Sequence, residues 1–200
     1  HPLDEFEIEL KHLCNTMISV FKQDQKKFID KTFIIAGMVT EAKIKQDKRG
    51  RDYGFFVLED YSDSIKLMLF QDNFLKFKHY LIPGLKLYVK GTVKRRIDKE
   101  KNTEDINIEI SEITLLSGVR EATLKSVTIQ LELSTLRYNT TEELEKIIKG
   151  SKGRCTVKLK VLDRENNISL DMYSDKLKID PTNEFFNSLR NLPYVSFKLN

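Results

Sequence analysis

The chain has 200 residues, with 34 Lys and Arg against 30 Asp and Glu for a net charge of +4, three His, two Cys and no Trp. At 40% hydrophobic and 32% charged it has enough apolar side chain to bury a core in one or two domains, which excludes disordered and collagen-like chains. No run approaches the ~18 apolar residues of a membrane span, and Cys14 and Cys155 stand apart without a CxxC pair or a Cys/His cluster, which gives no support to a disulfide framework or a zinc site.

A cytoplasmic protein with no membrane partner, no metal and no cofactor is therefore expected. The opening, HPLDEFEIEL, is acidic rather than signal-like. It lacks a leading Met, as a piece of a longer chain would.

Residues 1–24 predict one amphipathic lead-in helix. Leu3, Phe6, Leu10, Leu13, Met17 and Val20 recur at steps of three and four, one apolar stripe, and Asp4, Glu5 and Glu7 favour the positive end of its dipole. The polar stretch 22–27 is the expected connector.

From Lys31 the period becomes strand-like. Strands are expected at 32–45, 53–59, 64–70, 86–96 and 106–116, with turns at 47–50, 60–63 and a polar loop at 98–105. Gly37 is the expected bulge of the first strand. A helix is expected over 71–81, capped by Asp72 and stopped by Ile82-Pro83-Gly84. Three strands, a helix and two strands in sequence are similar to the order of an OB-fold barrel.

Beyond residue 118 the pattern changes to a small α+β domain. Strands are expected at 126–133, 155–162, 168–173 and 195–199, with helices at 141–149 and 182–192. The fold class expected is mainly β with α+β. A lead-in helix (1–24) precedes an OB-fold five-stranded barrel (25–117), and the α+β domain (118–200) follows.

Alternation assigns candidate ligand contacts. In the third strand Ile65, Leu67 and Leu69 belong inside, so Lys66 and Met68 face outward; pairing across the turn then places Phe56 and Leu58 inside and Tyr53 and Phe55 outside. Tyr88 and Lys90 are expected to join them from the fourth strand. The 43–51 segment holds five basic residues, Lys43, Lys45, Lys48, Arg49 and Arg51, against one acid, and Lys94, Arg95 and Arg96 precede the second loop. Rings beside cations suit single-stranded nucleic acid, since bases stack on rings while Lys and Arg neutralise phosphates. The competing reading packs Phe55 under the helix or a neighbouring domain and leaves the charged hairpin merely solvated.

Catalytic motifs are missing: no GxSxG, Walker-type loop, HExxH or GxGxxG occurs. His12 and His79 fall on expected helices. The acidic pairs Glu59-Asp60 and Asp60/Asp63 are read as a turn rather than a divalent-ion site. The segment 71–75, QDNFL, looks loosely like a clamp-binding peptide, but Phe74 and Leu75 are wanted for packing.

Together these residues resemble the C-terminal region of the bacterial DNA polymerase III alpha subunit. The resemblance runs through His1-Pro2-Leu3-Asp4, Ile35-Ala36-Gly37, Lys48-Arg49-Gly50, FFVLED at 55–60, Leu67-Met68-Leu69-Phe70 and Leu115-Leu116. Ser62-Asp63 departs from the family's Ser-Gly turn. The family implies a non-catalytic piece of a DNA polymerase whose OB domain touches single-stranded template DNA. It also implies a tail that binds the clamp-loader tau subunit, and contacts to the remaining polymerase domains; residues 118–200 are expected to bind that subunit and not DNA. Two alternatives stay open: an anticodon-binding OB module of an aminoacyl-tRNA synthetase, and a purely protein-interaction platform.

Overall fold

The computed structural model describes residues 1–98 and 103–200. The tip of the expected loop between the fourth and fifth strands, residues 99–102, lies outside the described residues. Two compact units divide the chain, His1–Val119 and Arg120–Asn200. Among the described residues no helix is long and apolar enough to cross a membrane.

The single lead-in helix is instead two short ones. A 3-10 turn at Asp4–Phe6 enters α1 (Glu7–His12), and α2 (Ile18–Gln23) follows after a break. Asn15 makes the break: its Oδ1 accepts from the Ile34 amide at 2.8 Å and its Nδ2 donates to the Thr32 carbonyl at 2.9 Å. The cap of α2 comes from elsewhere, with the Ile18 amide donating to Asp60 Oδ2 at 2.9 Å and the Ser19 amide to Ser62 Oγ at 3.1 Å. The buried face consequently turns to Ile18 and Phe21, and Met17 and Val20 are exposed.

Five antiparallel strands follow: β1 (Thr32–Gln46), β2 (Asp52–Glu59), β3 (Ser64–Phe70), β4 (Lys86–Asp98) and β5 (Thr103–Leu115), in the order β3-β2-β1-β4-β5. β1 serves two neighbours because it is long, pairing with β4 over Thr32 to Met38 and with β2 from Met38 onward. Its bulge lies between Val39 and Glu41 rather than at Gly37. Gly37 meets a different need: a Cβ there would stand 2.4 Å from the Glu59 carbonyl oxygen.

Helix α3 (Gln71–Phe77) with a 3-10 turn at Lys78–Tyr80 connects β3 to β4, and Asn73 Nδ2 donates to the Ile110 carbonyl of β5 at 2.9 Å. Asp72 makes no capping bond, contrary to expectation; the chain enters the helix through Gln71 at φ +49°. This is an OB-fold whose two outer strands are bridged by a helix rather than by a ladder among the described residues.

The inner parity follows the alternation. Phe56, Leu58, Leu67 and Leu69 are at most 1% exposed and pack with Phe33, Ile35 and Val89, each such side chain contributing about 1.5–3 kcal/mol by leaving water. A separate cluster on the other side of β1 and β4 packs Leu3, Ala36 and Tyr88 against Leu116 and Val119. The latter two belong to α4 (Leu116–Thr123), a helix that the strand pattern of 106–116 concealed.

The second unit contains β6 (Ser126–Glu132), α5 (Thr140–Gly150), β7 (Lys152–Asp163), β8 (Ile168–Ile179), α6 (Asn183–Arg190) and β9 (Val195–Leu199), with strand order β8-β7-β6-β9. Only β6 and β7 run parallel, joined through α5 as a crossover demands. Thr182 Oγ1 caps α6 by accepting from the Phe185 amide at 3.2 Å.

Candidate nucleic-acid interface

The outer side of β2 and β3 carries cross-strand pairs Tyr53 with Phe70, Phe55 with Met68, and Val57 with Lys66, with Lys43 and Lys45 of β1 opposite Phe55 and Tyr53. Phe55 lies on this side but is not an open ring. It is 6% exposed, with Lys66 Nζ 3.8 Å and Lys45 Nζ 5.6 Å from its centroid, cation–π contacts that fix both ammonium groups over it. The open ring is Phe70, 51% exposed and stacked on Tyr53 at 5.5 Å with a 24° tilt. The alternation that turns Lys66 and Met68 outward turns Phe70 outward as well, although the expected site did not include it.

Beside this ring pair lies a cleft of about 890 Å³. Lys48 and Arg51 of the β1–β2 hairpin line one side, Met68, Phe70 and Leu75 another, and Arg96 of β4 with Asn107 of β5 a third. Asp47 builds the hairpin: its Oδ1 accepts from the amides of Arg49 at 2.8 Å and Arg51 at 3.0 Å, and its Oδ2 from Arg51 Nε at 2.8 Å. Gly50 takes the left-handed position, φ +74°. The Arg51 amide above all, with its guanidinium, holds the Asp47 carboxyl below its usual range.

Several expected cations are already paired. Arg51 meets Asp47 at 2.8 Å, Lys43 meets Glu41 at 2.6 Å and Lys94 meets Asp30 at 3.6 Å. Lys45 and Lys66 lie near the Glu41 carboxylate, whereas Lys48, Arg49 and Arg96 form no ion pair among the described residues and stand exposed, Lys48 and Arg96 lining the cleft and Arg49 next to Lys48 on the hairpin.

Tyr88 corrects the expectation most clearly. It is 7% exposed because the N-terminal segment and α4 cover that side of β4, and burial pushes its hydroxyl pKa up. Lys90, half-buried between Ile34 and Glu112, and Arg95, opposite Ile106, do not border the cleft either.

Other candidate chemistry is structural. Asp60 accepts from the amides of Ile18, Ser62 and Asp63, so the acidic turn is a cap. Its Ser62-Asp63 departure needs no left-handed residue. Burial, with Asp60 and Glu9 nearby, pushes the Cys14 thiol up to about 12, so it is no nucleophile at neutral pH. In the clamp-peptide look-alike, Phe74 is buried as expected while Leu75 is 64% exposed. Among the described residues no three His, Cys, Asp or Glu side chains gather to hold a metal.

Residues 33–116 match the family model of an OB-fold nucleic acid binding domain, and residues 127–200 match that of the C-terminal domain of the DNA polymerase III alpha subunit. Curated DNA polymerase III alpha subunits from Pseudomonas fluorescens and Pseudomonas aeruginosa are 22% and 21% identical over 191 residues, 96% of this chain. The chain is similar to the C-terminal region of the DNA polymerase III alpha subunit. It spans 15% of the length of those polymerase subunits. A solved mitochondrial single-stranded DNA binding protein from S. cerevisiae is 14% identical, covering 42% of this chain and 92% of its own, with a TM-score of 0.32, a likeness too slight to carry a functional argument.

Proposed function

We propose that this chain is a non-catalytic part of a replicative DNA polymerase, whose OB domain holds single-stranded template in the cleft between the β1–β2 hairpin and the β4–β5 end. The observation that carries this reading is the exposed Phe70 ring stacked on half-buried Tyr53, in the cleft that Lys48 and Arg96 line, with Arg49 next to Lys48 on the hairpin. A base lies on Phe70, and the cations take the flanking phosphates. DNA-directed DNA synthesis, supplied by the remaining polymerase domains, is the activity of the whole protein in this reading. The second unit docks the clamp-loader tau subunit on the apolar side of β8, where Ile168, Leu170 and Met172 are 61%, 57% and 39% exposed and share one face of the strand.

Lys48→Ala/Arg49→Ala tests the hairpin. The salt slope of oligo-dT binding is expected to flatten by about 1.4, since each phosphate that a protein neutralises on a single strand accounts for about 0.7 of the slope. Arg51→Ala, which frees Asp47 instead, is expected to loosen the hairpin with little change in slope. An unaltered slope in the double variant would remove the hairpin from the interface.

A further inference from the structure

We infer that the helix-free face of the C-terminal sheet is a second contact surface for single-stranded nucleic acid, engaging mainly the phosphate chain. Helices α5 and α6 cover the side on which Val127, Ile129 and Val157 are buried and Phe186 packs on Phe197 at 4.9 Å. The residues between these on each strand face the other way.

There the register aligns one row across all four strands: Tyr173 opposite Lys158, Lys158 beside Thr128, and Thr128 opposite Lys198. At ~4.8 Å between strands this row spans about 14 Å. The next row places Lys160 between Asp171 and Gln130, and on the other side Lys178 stands opposite Thr156.

Charge on this face is one-sided. Among the described side chains, Lys158, Lys160, Lys178 and Lys198 meet a single acid within the rows, Asp171, 3.6 Å from Lys160, and Glu132 at the strand end is taken by Arg164 at 2.6 Å. Thr128, Gln130, Thr156 and Ser196 fill the space between, so a partner is held by charge and hydrogen bonds rather than by apolar burial. That chemistry selects a polyanion.

Tyr173 narrows the choice. Its ring is 72% exposed, with Lys158 Nζ 5.7 Å from the centroid. An acidic protein surface leaves such a ring unused, whereas a nucleic acid strand stacks a base on it and brings a phosphate to the neighbouring ammonium. This surface shares no residue with the OB cleft, and its chemistry departs from the expectation that residues 118–200 ignore DNA.

The test titrates the full chain with labelled oligo-dT of about 40 nucleotides, longer than the ~4–16 that one OB-fold occupies, over a range of salt. In Lys158→Gln/Lys160→Gln/Lys178→Gln/Lys198→Gln the salt slope is expected to flatten by about 2–3 and low-salt affinity to fall more than tenfold. Should that variant fail to fold by circular dichroism, Tyr173→Ala decides, with an expected loss of about fivefold or more. A second chain carrying Phe70→Ala/Arg96→Ala separates the two sites: it is expected to keep the lysine-dependent part of the slope. An unchanged slope in the folded lysine variant overturns the inference, whatever the cleft does. Competition by poly-glutamate as strong as by unlabelled oligo-dT also overturns it, in favour of an acidic protein.

Discussion

Phe70→Ala is expected to weaken oligo-dT binding by about 1–3 kcal/mol, the worth of one base stacked on an aromatic ring, while leaving the thermal transition near that of the unaltered chain. The ring stands half out in solvent at the end of β3, stacked on Tyr53. Phe55→Ala is the contrasting case. Phe55 is buried beneath Lys66 and Lys45, so its removal leaves a gap and costs about 3–5 kcal/mol of stability; affinity then falls only because two ammonium groups lose their platform. Anisotropy titrations and thermal melts of both variants separate the cases. Normal affinity in Phe70→Ala, with reduced affinity and normal stability in Phe55→Ala, would move the stacking site back to Phe55.

Asp60→Ala is expected to destabilise the N-terminal unit by about 2–4 kcal/mol, combining the removal of a helix cap with that of hydrogen bonds to a charged acceptor. Oδ2 of this 9%-exposed carboxylate holds the start of α2, and Oδ1 accepts from the Ser62 amide at 2.7 Å, the Ser62 hydroxyl at 2.6 Å and the Asp63 amide at 3.1 Å. Without it, the amides that it satisfies are left inside a packed junction, and Ile18 and Phe21 lose their fixed entry into the core. Asp60→Asn retains one acceptor oxygen and is expected to lose about half as much. Denaturant unfolding measures both; an Ala variant within ~0.5 kcal/mol of the unaltered chain would show that the cap is dispensable.

What the sequence made visible is what has a local period. Ile65, Leu67 and Leu69 against Lys66 and Met68 settled the inside of β3 and, through pairing, of β2. The N-terminal helices were hidden because a three-and-four spacing survives any break, and the groups that break it act across 17, 19 and 42 residues. Tyr88 alternates outward as expected, yet only the folded chain reveals that Leu3, Leu116 and Val119 cover it. β8 was cut short at Tyr173 for a related reason. A register shift opposite Thr156 and Lys158 interrupts its alternation before it resumes pairing at Lys178, with Ser174 Oγ accepting from the amides of Lys176 and Leu177 at 3.3 Å.

Which cations remain available is likewise a property of the fold rather than of the charge run. The 43–51 segment counts five basic residues, but Asp47 and Glu41 take Arg51 and Lys43. Phe55 holds Lys45, which leaves Lys48 and Arg49 to act at the hairpin tip. Arg96, distant in sequence, completes the set at the cleft.

The most direct measurement is a titration of the full chain with labelled oligo-dT of about fifteen to twenty-five nucleotides, long enough to exceed one OB-fold site, at low and physiological salt beside duplex DNA and tRNA. Template binding predicts salt-sensitive preference for the single DNA strand, diminished by Phe70→Ala. Equal affinity for the duplex, preference for tRNA, or no binding to any of the three would contradict it.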